Sequence, residues 1–306
     1  MNSPVRSLDM VEGAYANDYG LLTPSRMPNT LSVAGLAATL VAALYCGWGN
    51  HSLPDFAAWS STLWMCVALF SAALITPKAF APGFLLSLLP FLIAWRVAAM
   101  NDALVMVWVA SIAAVPLLLQ FADCVLSDLR RDRNKPGAWL GLLLWQATIV
   151  RMYFGLNELC HSSEKIFAGL GWFHRLETGF QGFGLGEVAA YFVVLGGLIE
   201  FASAVSVGLG LFARLGAFVS LVYFLVATVG FGGEWSRGYA WASAGGGGWE
   251  YVMLLMVVFA GVMVTGAGKF SLDGWLLRRG WMPRRLRWLA FNEKGARHTG
   301  QENDAE

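Results

Sequence analysis

Long apolar runs recur along this chain, separated by polar breaks that are mostly too short to fold on their own. A helix that crosses a bilayer needs about 20 predominantly apolar residues. Eight stretches meet or approach that length: 31–48, 56–75, 82–100, 103–126, 137–157, 187–211, 215–229 and 249–265. Pro90, Arg96 and Pro116 interrupt the third and fourth without ending them. The pattern predicts an all-α, polytopic integral membrane protein of about eight transmembrane helices. The most polar internal stretch, Ser-Asp-Leu-Arg-Arg-Asp-Arg-Asn-Lys-Pro at 127–136, closes with a proline suited to a helix start. It divides the chain into a polar tail (1–30), a first four-helix membrane block (31–126), a charged linker (127–136), a second four-helix domain (137–273) and a basic tail (274–306).

Composition supports this reading and excludes several functions. The chain is 57% hydrophobic and 13% charged, with a mean hydropathy of +0.56, whereas a soluble domain carries about a quarter of its residues charged. A soluble cytosolic enzyme is excluded. The net charge of +1 gives no polyanion-binding excess, so nucleic acid is not an expected partner. The first 30 residues lack an early apolar core with a small-residue cleavage site, so no cleaved signal peptide is expected.

Charge position is more informative than charge sum. With eight helices, 16 of the 21 Lys and Arg fall on the side holding both termini and the loops at Lys78, Arg130 to Lys135 and Arg214, and three fall on the other side. Cytoplasmic loops retain the positive excess. The expected location is therefore a bacterial-type cytoplasmic membrane with both termini cytoplasmic. The tail from Arg278 to Arg287 mixes arginines with Trp281, Met282 and Leu286, a composition that suits contact with membrane lipid.

Ionisable residues inside spanning helices cost roughly 2.5–3.5 kcal/mol on insertion scales, so each is a candidate for function. Arg96 lies near a helix end and can reach the interface. Arg151, Glu158 and Lys165 repeat every seven residues, close to two helical turns, with His161 beside the same stripe. Glu200 lies about 13 residues into its helix among small residues, and Arg151 is its expected partner by depth. Glu250, next to Trp249, stands at the positive end of the last helix. The candidate polar site is Arg151, Glu200 and Glu250, with Glu158, His161, Lys165 and Trp249 as accessories. Cys46, Cys66, Cys124 and Cys160 form no C-x-x-C pair, and no paired His ligands or dinucleotide fingerprint occur. Neither a metal nor a resident redox centre is expected.

The second block resembles the DoxX family of four-helix membrane proteins over residues 137–273. The resemblance rests on Arg151, Gly155 and Lys165, on Leu195-Gly-Gly-Leu-Ile-Glu200, and on Gly208-Leu-Gly-Leu-Phe-Ala-Arg214-Leu-Gly. Trp249-Glu-Tyr and Gly266-Ala-Gly-Lys-Phe-Ser-Leu-Asp273 complete it. The family includes the small membrane subunit of thiosulfate:quinone oxidoreductase. The resemblance implies a DoxX-like bundle and a non-autonomous component of a quinone-linked oxidoreductase, with quinone or a partner redox subunit carrying the electrons. A non-catalytic membrane scaffold or assembly subunit, and a small-solute or ion permease using Glu200, remain open alternatives.

Overall fold

A computed structural model describes residues 22–135, 138–231, 235–240 and 248–290. The tail up to residue 21, Pro136 and Gly137, residues 232–234, the glycine run within 241–247 and the tail from 291 onward, including His298, lie outside the described residues. The described part is helical: α1 Asn29–Leu44, α2 Asp55–Phe70, α3 Phe80–Met100, α4 Leu104–Asp132, α5 Ala138–Ile166, α6 Leu170–Phe180, α7 Ala189–Ser203, α8 Ala213–Leu225, α9 Glu250–Thr265 and α10 Leu272–Arg278. Wider π turns extend several of these, among them Tyr45–Gly49 after α1 and Ala204–Gly208 after α7.

Among the described residues, seven helical segments are long and apolar enough to cross a membrane, with α6 and α7 counted together. The eighth expected span, α9, is shorter at 16 residues. The outer surface is apolar: Trp59, Trp108, Ile112, Leu118 and Tyr191 are all largely exposed. In water such a surface would aggregate, and in lipid it is the favoured face. The chain is a polytopic membrane protein.

Local chemistry explains the helix limits. α2 begins at Asp55 just after Pro54, so a carboxylate meets the positive end of the helix. α9 stops at Gly266, whose φ of 82° is costly for a side-chain-bearing residue. The Ser271 hydroxyl accepts the Gly274 N–H and starts α10. Pro90 and Pro116 sit inside intact helices.

The two blocks share one core. α3 is the most enclosed span and packs on α2, α4 and α5. One apolar cluster runs from Leu36, Met65 and Phe91 through Trp145 and Leu159 to Leu209 and Phe270. Arg96 does not simply reach for the interface as expected; it pairs with Glu164 of α5, because that helix extends well past Asn157. The charged linker also differs from expectation. α4 continues to Asp132, and Asp128 and Asp132 are buried rather than solvated, since Lys269 arrives from the far end of the chain to pair with both.

The loops sort to two ends as alternate crossing requires. At one end, Lys269 meets Asp128 and Asp132, and Arg214 donates to the Met263 and Trp288 carbonyls. This is the basic end. At the other, the Asn101 amide donates to the Ala168 carbonyl, and Gly169 lies beside Pro54.

Candidate functional site

Helix α5 carries the site. It is unbroken through Ile166, so residues 157–163 are ordinary helix. Glu158, His161 and Lys165 line a cavity of about 700 Å³. The remaining wall is largely apolar, with Phe180 from α6, Phe183 from the following turn, Phe192 and Ile199 from α7, and Phe224 from α8. α6 supplies its wall as an amphipathic helix: Leu176 and Phe180 face the cavity, while exposed His174 pairs with Glu177 on the other side.

Glu200 forms the polar end with Lys165. The Lys165 Nζ donates to Glu200 Oε1 at 2.8 Å and Oε2 at 2.9 Å, and also to the His161 carbonyl at 3.3 Å. The Tyr223 hydroxyl donates to Glu200 Oε1 at 2.8 Å. Both partners of the ion pair are nearly enclosed, so removing either would leave an uncompensated charge in a low-dielectric setting. The expected Arg151–Glu200 pair does not form. α5 and α7 run antiparallel, with Gly155 pressed against Gly208 and Ile166 against Gly197. That register sets Glu200 beside the last turns of α5 and carries Arg151 beyond it, towards the π turn after α7.

Glu158 is the exceptional member. It is 1% exposed, lines the cavity, and its Oε1 has no hydrogen-bond partner among the described residues. A buried carboxyl group without a partner is costly. Nearby, the Asn157 amide donates to the Tyr251 hydroxyl, and Tyr251 also lines the cavity. The arrangement can enclose an apolar molecule whose polar head meets one uncommitted carboxyl group and one ion pair.

Arg151 belongs to a second cluster at the basic end. It is 1% exposed, and its guanidinium donates to the Val207 carbonyl, to Gly208 at 2.7 Å and to Phe270 at 2.6 Å. Asp273 accepts the Phe212 and Ala213 N–H groups at the start of α8, at 2.8 and 3.0 Å. Burial raises its carboxyl pKa to about 6, against the lowering effects of those N–H groups and of Arg151. Lys269 binds Asp128 at 2.7 Å and Asp132 at 2.9 Å, and the Trp145 indole also donates to Asp128. Phe270 sits among Phe80, Phe84, Phe121 and Trp145. The motif at 266–273 is thus a structural lock that ties α9 to α4, α5 and α8.

Glu250 joins neither cluster by a hydrogen bond or ion pair among the described residues. Its Oε1 accepts the Ala240 N–H at 2.7 Å, and Trp249 packs against Trp235 and Tyr239. The sequence-predicted trio of Arg151, Glu200 and Glu250 is therefore spread over three places. Glu158, His161 and Lys165, read as accessories, share the cavity with Glu200. Tyr223, Asp128, Asp132 and the pairing of Lys269 were not anticipated. Tyr223 lies in an apolar run with no polar spacing to mark it, and Lys269 is 141 residues from Asp128.

The fold and cavity define a helical membrane protein with a ligand-sized chamber in its second half. Residues 146–233 match the DoxX family model, so the chain contains a DoxX domain over that segment. The match takes in most of α5 and all of α6 to α8, hence Glu158, His161, Lys165, Glu200 and Tyr223; the 266–273 lock lies beyond it. Comparison with curated proteins and with solved structures gives no match.

Proposed function

We propose that the DoxX domain binds a membrane-soluble quinone in the cavity between α5 and α9, and that the protein is a membrane component of a quinone-linked oxidoreductase. The observation that carries this reading is the cavity itself: about 700 Å³, walled by aromatic and aliphatic side chains, with an enclosed carboxyl group lacking a partner at its polar end. Ligand pockets of this kind are mostly apolar, with a few convergent polar groups that fix orientation. A bound quinone supplies the electron-carrying chemistry, with electrons arriving from a partner redox subunit. Lys165, held by Glu200, which the Tyr223 hydroxyl braces in turn, orients the head. Glu158 exchanges a hydrogen bond or proton with it, and Phe180 and Phe183 exclude water from the polar end. The Lys and Arg distribution supports cytoplasmic termini, which places the cavity nearer the opposite membrane face.

The scaffold reading draws support from the other cluster, where Arg151 and Lys269 are engaged with backbone and carboxylate partners. The two readings describe different parts of one molecule. Purification in mild detergent followed by mass spectrometry of bound small molecules tests the ligand. Co-purified quinone, displaced by a short-chain quinone analogue, is the expected result. A protein that carries no quinone and binds none when titrated would refute the assignment.

A further inference from the structure

At the basic end a second, smaller pocket of about 170 Å³ opens between the turn joining α2 to α3 and the end of α10. Lys78, Arg278 and Arg279 line it together with Trp275, Ser271 and Phe80. Three cations therefore converge from segments about 200 residues apart in sequence, and no carboxylate lines the same pocket. None of the three forms an ion pair among the described residues. The described acids of α4 and α10 at this end are already committed. Asp128 and Asp132 hold Lys269, Asp273 holds the start of α8, and Asp123 accepts the Ser25 hydroxyl and the Arg26 N–H. Among the described residues, no carboxylate is left to balance this local positive charge.

The surroundings indicate where that counter-charge comes from. Trp275 packs edge-on against Trp281, which is 63% exposed, and Trp288 and Leu286 are exposed nearby in sequence. Tryptophan at this density beside arginine is the composition of the headgroup layer. A pocket of this size holds the volume of about six water molecules, enough room for one phosphate group. It is too small for an acyl chain, which would lie instead along the exposed apolar helix faces.

We propose that this pocket is a binding site for the phosphate headgroup of an anionic phospholipid, with Lys78, Arg278 and Arg279 as its cationic ligands and Trp275 and Trp281 as its interfacial wall. Basic pockets between spanning helices take such headgroups because anionic charge is dense there and each cation near the surface adds attraction. The site joins the α2–α3 turn to α10, so the lipid braces the end of the first block against the segment that follows the last span. The site is independent of the quinone cavity and of the proposed redox role.

The test compares the full chain in detergent micelles containing phosphatidylglycerol, phosphatidylcholine, or neither lipid with added inorganic phosphate. Native mass spectrometry reads retained lipid, and intrinsic fluorescence reads the melting temperature. Phosphatidylglycerol is expected to be retained and to raise the melting temperature by about 2–4 °C, with neither effect from phosphatidylcholine. The combined variant Lys78→Gln, Arg278→Gln, Arg279→Gln should fold, because these side chains are exposed and form no ion pair among the described residues, and should lose both effects. The combined variant Arg284→Gln, Arg285→Gln, Arg287→Gln removes the same three charges outside the pocket and should keep them. Equal loss in the second variant would reduce the effect to diffuse attraction and overturn the site. Retention in the first variant, or the same stabilisation by inorganic phosphate alone, would overturn it as well.

Discussion

Two buried polar clusters lie along α5, some 14 residues or about 21 Å of helix apart. In the lower one, Arg151 spends its guanidinium on three carbonyls from two other segments, and Lys269 sits between two carboxylates. In the upper one, Lys165 and Glu200 are paired beside a cavity while Glu158 has an oxygen with no partner. Charge inside a membrane protein is therefore not in itself the mark of a site. What separates the clusters is whether the charges are used up by the fold and whether open volume lies next to them.

The comparison predicts a graded set of effects. The largest belongs to the lock. Lys269→Met removes the enclosed cation between Asp128 and Asp132 and leaves them only the more exposed Arg131 and Lys135, so it should cost about 3 kcal/mol and lower the melting temperature in detergent by roughly 10 °C. Combining it with Asp128→Asn should return part of that loss. An unchanged melting temperature would remove the lock from the account.

Next come Lys165→Met and Glu200→Gln. Each should cost about 2–3 kcal/mol by stranding its partner, and the double variant should melt closer to wild type than either. All three should bind quinone at least about tenfold more weakly, because the polar end is rebuilt in each. Strictly additive losses of stability would mean that the two side chains do not form a pair, and the polar end would have to be redrawn.

The smallest effect concerns pH. Burial raises the Asp273 carboxyl to about 6 from an ordinary value of 3.8. The folded protein then holds a proton that the unfolded chain has lost between those values. Stability from this group is complete below about pH 4 and declines as pH rises through 6, by a contribution on the order of 1–3 kcal/mol. Asp273→Asn should flatten that slope in a melting-temperature series from pH 4 to 7. An unchanged slope would show that Asp273 is not its source.

The helices were legible in the sequence because spanning length and apolar content are local properties. The eight apolar stretches correspond to α1–α5 and α7–α9, with limits that mostly move by a few residues. The main exception is α5, which runs nine residues past Asn157. α6 falls outside the eight apolar stretches because His174, Arg175 and Glu177 dilute its apolar face, although Trp172, Leu176 and Phe180 recur every four residues. The stripe of Glu158, His161 and Lys165 was legible from helical spacing alone. Its partner was misassigned because depth was counted from helix starts, whereas the Gly155–Gly208 contact sets the true register between α5 and α7. The Lys269 lock depends on contacts more than 130 residues apart, and no local pattern announces those.

The division between a lock and a site is tested most directly at Glu158, whose replacement by glutamine keeps its shape and removes its exchangeable carboxyl proton. Binding of a short-chain quinone, followed by quenching of tryptophan fluorescence, should be measured on wild type and Glu158→Gln beside their melting temperatures. Glu158→Gln should melt within about 2 °C of wild type or above it, since no protein partner is stranded, while its quinone affinity falls by about tenfold or more. A variant that binds as wild type does, or that loses binding only together with its stability, would contradict the account.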